Sequence, residues 1–482
     1  MLVNSIPFWI FFAVVLLPYF TIFKNKAKAQ NLWLLLASYF FYGWADLKMI
    51  PLLIIVTAVY YFLGICIAKS NKANPKKASL LTTIGVVLGV GVLVYFKYLG
   101  FMVEEFSKLF ESFGLHTNIS SFKIIMPIGI SFFTFKLMSY VIEVHRENIE
   151  PTKDAIAFGT FIAFFPTILS GPIDRPGKFL PQLDKARTLD LSQVSEGLKR
   201  VLWGMFTKMC VADILIAYTD SVFENVPQHN ATSILFAIFL YTIQMYADFS
   251  GYSNMAIGVA QIMGLSVAEN FNRPFFAQNI AELWRRWHMS LTTWLTDYVF
   301  MPLNIRFRNM GKAGLYLATM VNLVLIGAWH GANWTYVLFV VYHGLLLIIV
   351  MMVEKDRKKW EKRHHLKKSE WYKWSRRIIC FCFWAFGQMI FRSNSIGDVW
   401  ITITQIGKGF GPLFLLAPQV FTFGLLSTAI MLWKDYLDEY KSKIHFLHSS
   451  NVYVRLASIA LLASYIVLFG ALNGKTFIYF QF

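Results

Sequence analysis

Apolar runs of near membrane-spanning length, parted by short polar stretches, cover most of this chain. A helix needs roughly 17–25 apolar residues to cross a bilayer. Runs near that length lie at 6–23, 32–45, 49–68, 79–98, 122–143, 198–218, 232–263, 314–330, 332–353, 377–392, 410–434 and 453–472. The pattern predicts an all-α polytopic bundle of about 12 spanning helices, because a helix satisfies its own backbone polar groups inside lipid. The run at 232–263 is long enough to tilt or bend. The first run begins almost at once, with neither a basic leader nor a small-residue cleavage site, so 6–23 reads as a retained span. No long polar linker divides the chain, and 1–482 reads as one membrane domain.

Two apolar stretches are badly built for simple spans. The stretch 155–183 carries Pro166, Gly171-Pro172, Pro176 and Pro181, with Asp174 and Arg175 beside the breaks. Proline removes a backbone donor and breaks a helix, and broken backbone at membrane depth is tolerated only where protein or a wet cavity satisfies it. We expect a re-entrant or interfacial segment lining a cavity. The second stretch, 264–312, predicts an amphipathic helix around 280–300, with Trp284, Trp287, Leu291, Trp294, Leu295 and Tyr298 near helical spacing. Arg285, Arg286 and Asp297 make it too polar to cross lipid alone.

Composition sharpens the class. Of 482 residues 56% are hydrophobic, 17% aromatic and 15% charged, with mean hydropathy +0.51. A soluble domain carries about 25% charged residues. The net charge of +18 sits in short loops between apolar runs, the densest at 354–377. Charge so placed encodes orientation and meets anionic lipid, and it argues against a nucleic-acid partner. The Lys/Arg rule puts these loops in the cytoplasm and both termini outside. Cys66, Cys210, Cys380 and Cys382 all lie in apolar segments, make no zinc-type spacing, and read as core packing.

Polar and aromatic groups concentrate between Gln244 and Gly344. Asp248, Ser250, Tyr252 and Ser253 interrupt one apolar run; Asn270 follows; then come Trp284-Arg285-Arg286-Trp287-His288 and Trp329-His330-Gly331-Ala332-Asn333. Ionisable groups at membrane depth are costly unless they face a bundle interior or a wet cavity, so they are functional candidates. His330 ends one apolar run and is parted from the next by Gly331. A neutral imidazole there, with an ordinary pKa of about 6.5, can take a proton from a hydroxyl. Asn333, three residues on, falls on the same face if the helix continues. The plain alternative is a buried histidine bonded to a backbone carbonyl. His288 has Trp284 and Arg285 at i−4 and i−3 if its segment is helical, and a guanidinium there suits a phosphate or carboxylate. An interfacial basic-aromatic helix is the alternative. His343, beside Gly344, reads as helix packing, and His116, His145, His229, His364, His365, His445 and His448 as loop or span-end residues. No HExxH-type spacing points to metal, and no Walker A loop, GxSxG elbow or GxGxxG motif supports a hydrolase, ATPase or dinucleotide enzyme.

Several of these stretches together resemble the membrane-bound O-acyltransferase family, in its bacterial alginate O-acetyltransferase-like branch. They are Met126-Pro127-Ile128-Gly129-Ile130-Ser131-Phe132-Phe133, Ser170-Gly171-Pro172-Ile173-Asp174-Arg175, Tyr246 to Ser253, Glu269-Asn270-Phe271-Asn272, Trp284 to Leu291, and Trp329-His330-Gly331, with Phe391-Arg392 later. The resemblance covers roughly 120–350. It implies a helical bundle with a transmembrane tunnel, a thioester donor approaching from the cytoplasm, and a hydroxyl acceptor or relay protein on the other side. It places the family's catalytic histidine on His330 and a supporting histidine on His288. Trp329, Asn333, Arg285, Arg286, Asp248, Trp284 and Asn270 become candidate substrate-binding residues. Acetyl-CoA is the expected donor, as a substrate rather than a tightly bound cofactor. An envelope polysaccharide is the expected acceptor, a periplasmic or extracellular transferase a partner, and the bacterial inner membrane the location. Where family relatives often carry Gly-Gly, this chain has Pro302-Leu303-Asn304, which loosens the acceptor assignment. D-alanyl transfer from a carrier protein, a non-catalytic transporter and an envelope scaffold remain open alternatives.

Overall fold

The computed structural model describes residues 1–114, 126–440 and 444–471. Among these residues every regular element is helical. Among the described residues seven helical stretches are long and apolar enough to cross a membrane: Ala27–Ala73, Pro75–Ser112, Leu191–Phe223, Ala231–Ile262, Lys312–His330, Trp334–Arg363 and Val452–Phe469. Their outer faces are apolar, with Leu461 and Leu468 at 72% and 71% exposed. Such contiguous faces are what lipid covers, and the chain is an integral, multi-pass membrane protein.

Several expected spans merge or shorten. The runs at 32–45 and 49–68 join in one stretch through a 3-10 turn, Leu47–Met49. The first span is the 15-residue helix Ile6–Phe20. The span expected at 122–143 starts outside the described residues and continues as Ile130–His145; His116 also lies outside them. The run at 377–392 sits within Glu370–Arg392, whose first turns are charged. The run at 410–434 does not form one helix. Residues 409–417, holding Gly409, Gly411, Pro412 and Pro418 next to them, are irregular before a π turn and the helix Leu425–Glu439.

The chain forms two compact units, Met1–Val201 with Ala256–Ala268, and Leu202–Met255 with Glu269–Phe482. In the first, the buried Arg187 is a hub. Its Nε donates to the Tyr19 hydroxyl at 2.8 Å, its Nη2 to Asn31 Oδ1 at 2.8 Å, and Gln30 bonds its backbone on both sides. A guanidinium taken out of water this way is stabilised by neutral acceptors rather than a counter-charge.

The stretch 155–183 breaks as expected. Asp154 caps the helix Ala155–Ala163 by accepting from Ile156 and Ala157 N–H at 2.9 and 3.0 Å. The helix stops before Pro166, and residues 161–174 are buried throughout. Lys136 Nζ satisfies the break, donating to Thr167 Oγ1 at 2.9 Å and Phe161 O at 3.2 Å. Gly129 has φ +75°, and a Cβ there would meet the Ile168 carbonyl oxygen. Both facts require glycine at this position.

Candidate active site

The helix expected around 280–300 is broken. It is two short helices, Ile280–Arg286 and Met289–Leu295, followed by a π turn at Thr296–Phe300. Trp287 is extended, and His288 is left-handed at φ 44°, ψ 51°. A non-glycine residue in that region costs roughly 1–2 kcal/mol, so neighbouring bonds must hold it. Asn270 supplies them. Its carbonyl accepts from Met289 N–H at 2.8 Å. Its Oδ1 accepts from Ser290 Oγ at 2.6 Å and Ser290 N–H at 3.3 Å, and its Nδ2 donates to Ser253 Oγ at 3.1 Å. Asn272 N–H donates to Arg286 O at 3.0 Å, closing the other side of the break. The i−4 and i−3 relation of Trp284 and Arg285 to His288 therefore does not exist.

The break brings the two candidate histidines to the same indole. The His288 ring lies 5.3 Å from Trp329, and the Trp329 ring 4.8 Å from His330. Phe249 covers His288 edge-on at 4.6 Å, and Phe391 covers His330 at 5.0 Å. Both histidines are buried, His288 at 1% and His330 at 7% exposed. Burial pushes the His288 imidazole down to about 3, so it stays neutral at working pH. His330 is the last residue of Lys312–His330, and the chain leaves the helix at Gly331. Asn333 is consequently not on the His330 face. It caps the next helix, its side chain accepting from Thr335 N–H at 3.0 Å and donating to Asn394 O at 3.0 Å.

Arg285 and Arg286 part company. Arg286 is committed to protein: Nη1 lies 2.9 Å from Glu439 Oε2, and Nη2 lies 3.0 Å from Glu439 Oε1 and 2.8 Å from Glu282 Oε1. Arg285 instead lines a cavity of about 620 Å³ together with Arg357, Glu354, Thr292, Thr293 and Asn322. The helix that ends in His330 contributes Thr319, Asn322, Leu323 and Ile326 to this cavity. Trp284 lines it too; its indole N–H, like Asn322 Oδ1, is buried without a hydrogen-bond partner among the described residues. A cavity with cationic side chains, hydroxyls, an open amide acceptor and an apolar wall suits a long ligand that is anionic at one end. Asp248 has a different setting. It lies 2.6 Å from Lys208 Nζ, which also meets Asp213 at 2.8 Å. Lys208 and Asp213 are five residues apart, and the π turn Phe206–Ala212 brings them together.

His343 packs against a glycine as expected, though not its neighbour, while Lys208 and Asn322 escaped the sequence reading. His343 is fully buried, its ring 4.6 Å from Phe339, 4.9 Å from Trp384 and 5.6 Å from Trp284. Neither ring nitrogen has a hydrogen-bond partner among the described residues. It packs against Gly387 of the facing helix, where a Cβ would strike Nε2, rather than around its neighbour Gly344. Lys208 was hidden in an apolar run whose helical register the π turn alters. Asn322 was hidden similarly, as an isolated amide in a span. The cysteines also divide: Cys210 and Cys380 are buried as core residues, but Cys66 and Cys382 are exposed. Among the described residues no group of three His, Cys, Asp or Glu could hold a metal ion.

Comparison with known proteins shows the family. A model of the membrane-bound O-acyltransferase family matches residues 35–397. A probable alginate O-acetylase of Azotobacter vinelandii is 35% identical over 395 residues, 81% of this chain and 75% of that protein. A peptidoglycan O-acetyltransferase of Helicobacter pylori is 28% identical over 418 residues, 80% of this chain and 76% of that protein. A teichoic acid D-alanyltransferase of Bacillus subtilis is 31% identical over 276 residues, 55% of this chain and 68% of that protein.

Proposed function

This chain belongs to the membrane-bound O-acyltransferase family, and on that footing we propose that it moves an acetyl group from a cytoplasmic thioester, acetyl-CoA, to a hydroxyl of an extracytoplasmic, alginate-like polysaccharide or to a relay partner. The protein is an O-acyltransferase; its donor, acceptor and placement in the bacterial inner membrane are our reading. The observation that carries it is His330 at the end of a helix that also lines the arginine-bearing cavity. The names of the alginate and peptidoglycan O-acetylating relatives favour acetyl over other acyl groups.

In this mechanism the donor's phosphates meet Arg285 and Arg357, and its thioester arm follows the cavity wall toward His330. The His330 imidazole takes the proton of the acceptor hydroxyl as the oxygen attacks the thioester carbonyl. The tetrahedral oxyanion then collapses, the carbon–sulfur bond breaks, and the imidazolium returns its proton to the departing thiolate. No net proton is consumed. General-base action of this kind contributes about 10²–10⁴-fold. Neutral His288, across Trp329, holds the reactants without competing for the proton.

Transfer of a carrier-bound D-alanyl group is the second reading, favoured by the likeness to teichoic acid D-alanyltransferases. One experiment separates them. Purified protein is offered acetyl-CoA or an acyl-loaded carrier protein, wild type against His330→Ala. Acetyl-CoA turnover that is lost in a folded His330→Ala protein supports the proposal. Turnover with the carrier alone moves the assignment to the second reading, and undiminished turnover in the variant removes His330 from the chemistry.

A further inference from the structure

A second cavity has a different chemistry. A groove of about 800 Å³ lies in the second unit between Ala231–Ile262, Glu370–Arg392 and Leu425–Glu439. Phe239, Phe275, Phe381, Phe386, Leu432 and Trp433 give it apolar walls. It has none of the threonines and amides that mark the cavity beside Arg285, and so offers little to a sugar or to the amides of a thioester arm.

One charged group breaks the pattern. Arg377 lines the groove and is only 6% exposed. Its guanidinium is held between aromatic rings, 4.8 Å from Trp374, 5.4 Å from Phe276 and 5.5 Å from Tyr440. Nε donates to Phe276 O at 3.2 Å and Nη1 to the Tyr440 hydroxyl at 2.7 Å. Among the described residues nothing accepts from Nη2. The carboxylates nearby are occupied: Glu370 by Lys373 at 2.6 Å and Tyr440 at 3.2 Å, Glu361 by Arg376 at 2.9 Å. The nearest carboxylate, Glu370, reaches Arg377 only through the Tyr440 hydroxyl; a guanidinium this buried is costly, and its remaining edge suits a phosphate. The charge also closes the basic segment 354–377, which the Lys/Arg rule puts on the cytoplasmic side, where polybasic segments meet anionic lipid.

We propose that this groove binds an anionic glycerophospholipid of the cytoplasmic leaflet, with its acyl chain along the aromatic wall and its phosphate on Arg377. The site is separate from the donor cavity and does not depend on which acyl group the enzyme transfers. Phe275, which lines the groove, also packs 5.0 Å from Tyr246.

The chain carries its own probe. Cys382 lines the groove and is exposed; Cys66 is exposed in the first unit and serves as reference. Full-length protein is placed in nanodiscs of phosphatidylcholine alone or with phosphatidylglycerol, and maleimide labelling of each cysteine is followed by mass spectrometry. Bound phosphatidylglycerol should slow Cys382 severalfold relative to Cys66, and Arg377→Gln should remove the difference. Lipid extracted from wild-type protein purified out of mixed bilayers should be enriched in phosphatidylglycerol over the bulk. This second measurement stands if Arg377→Gln does not fold. Equal Cys382 labelling in both wild-type discs, or extracted lipid matching the bulk, would overturn the proposal.

Discussion

The carboxamide oxygen of Asn270 accepts from both the backbone N–H and the hydroxyl of Ser290, and this bond pair holds the left-handed turn that carries His288. Asn270 is 0% exposed and its amide is shared between Ser290 and Ser253. We therefore assign it to positioning rather than to substrate contact. Asn270→Leu removes both bonds to Ser290, at a cost of about 1–3 kcal/mol, and frees His288 to leave its turn. Turnover should fall on the order of 10²-fold, as small misplacements at a reacting centre do, while the donor KM stays within about twofold. Asn270→Asp keeps both acceptor bonds and should recover most of the turnover. If Asp is as damaging as Leu, or if the loss falls on KM, the positioning role is wrong.

The two neighbouring arginines should separate cleanly. Arg286 is bound to Glu439 and Glu282, so Arg286→Gln should cost about 1–3 kcal/mol of stability with little change in donor KM. Arg285 and Arg357 line the cavity, so Arg285→Gln should raise the KM for acetyl-CoA roughly tenfold, as loss of a charge-assisted contact does, and leave the thermal midpoint nearly unchanged. Thermal unfolding in nanodiscs and donor titrations on the same preparations check both halves. A KM defect confined to Arg286→Gln would reverse the assignment.

Lys208 stands between two carboxylates, Asp213 and Asp248. Lys208→Met removes the cation and leaves two buried acids, which should cost about 3–5 kcal/mol and show as poor yield of folded protein. Asp248→Asn leaves the Lys208–Asp213 pair intact and should be much milder. Fluorescence-detected size exclusion of the two variants orders them; a harsher Asp248→Asn would show that Asp248 has a further duty.

Fold class was legible, and the candidate histidines were conspicuous, for the same reason: apolar runs of spanning length make any ionisable group inside them stand out, and the structure brings His288 and His330 to the same indole. The break at 155–183 was equally plain, because proline acts locally. What the sequence concealed depends on backbone geometry that periodicity does not encode. The left-handed His288 interrupts a run of aromatic residues that fits one helix, and only the bonds to Asn270, distant in sequence, reveal the break. Asn333 looked like a partner for His330 because three residues within a helix share a face; the chain leaves the helix at Gly331, and Asn333 becomes a cap. Arg285 and Arg286 differ in the sequence only in that Glu282 stands four residues before Arg286, and Glu439, distant in sequence, completes the pairing that sets Arg286 apart. His343 reads as packing and packs, but its cage of Trp284, Phe339 and Trp384 is assembled from three helices and could not be foreseen from its neighbour Gly344.

Burial of His288 carries a pH signature that its chemistry does not require. The folded imidazole is pushed down to about 3, against an ordinary value of about 6.5 in the unfolded chain. A group whose pKa is lowered by folding contributes stability that is complete above the unfolded value and is lost as pH falls below it. At about pH 5 the loss from this one group comes to about 2 kcal/mol, and it continues to grow until the folded value is reached. His288→Asn lacks a titrating ring. The variant should be less stable than wild type at neutral pH, where the lost ring packing dominates, and should close the gap as the solution is acidified. The thermal midpoints of both proteins, measured in nanodiscs at neutral pH and about pH 5, test this directly. A gap that is constant or widens on acidification would mean that His288 accepts a proton in the folded protein, and His288 would then become a competitor with His330 for the role of base.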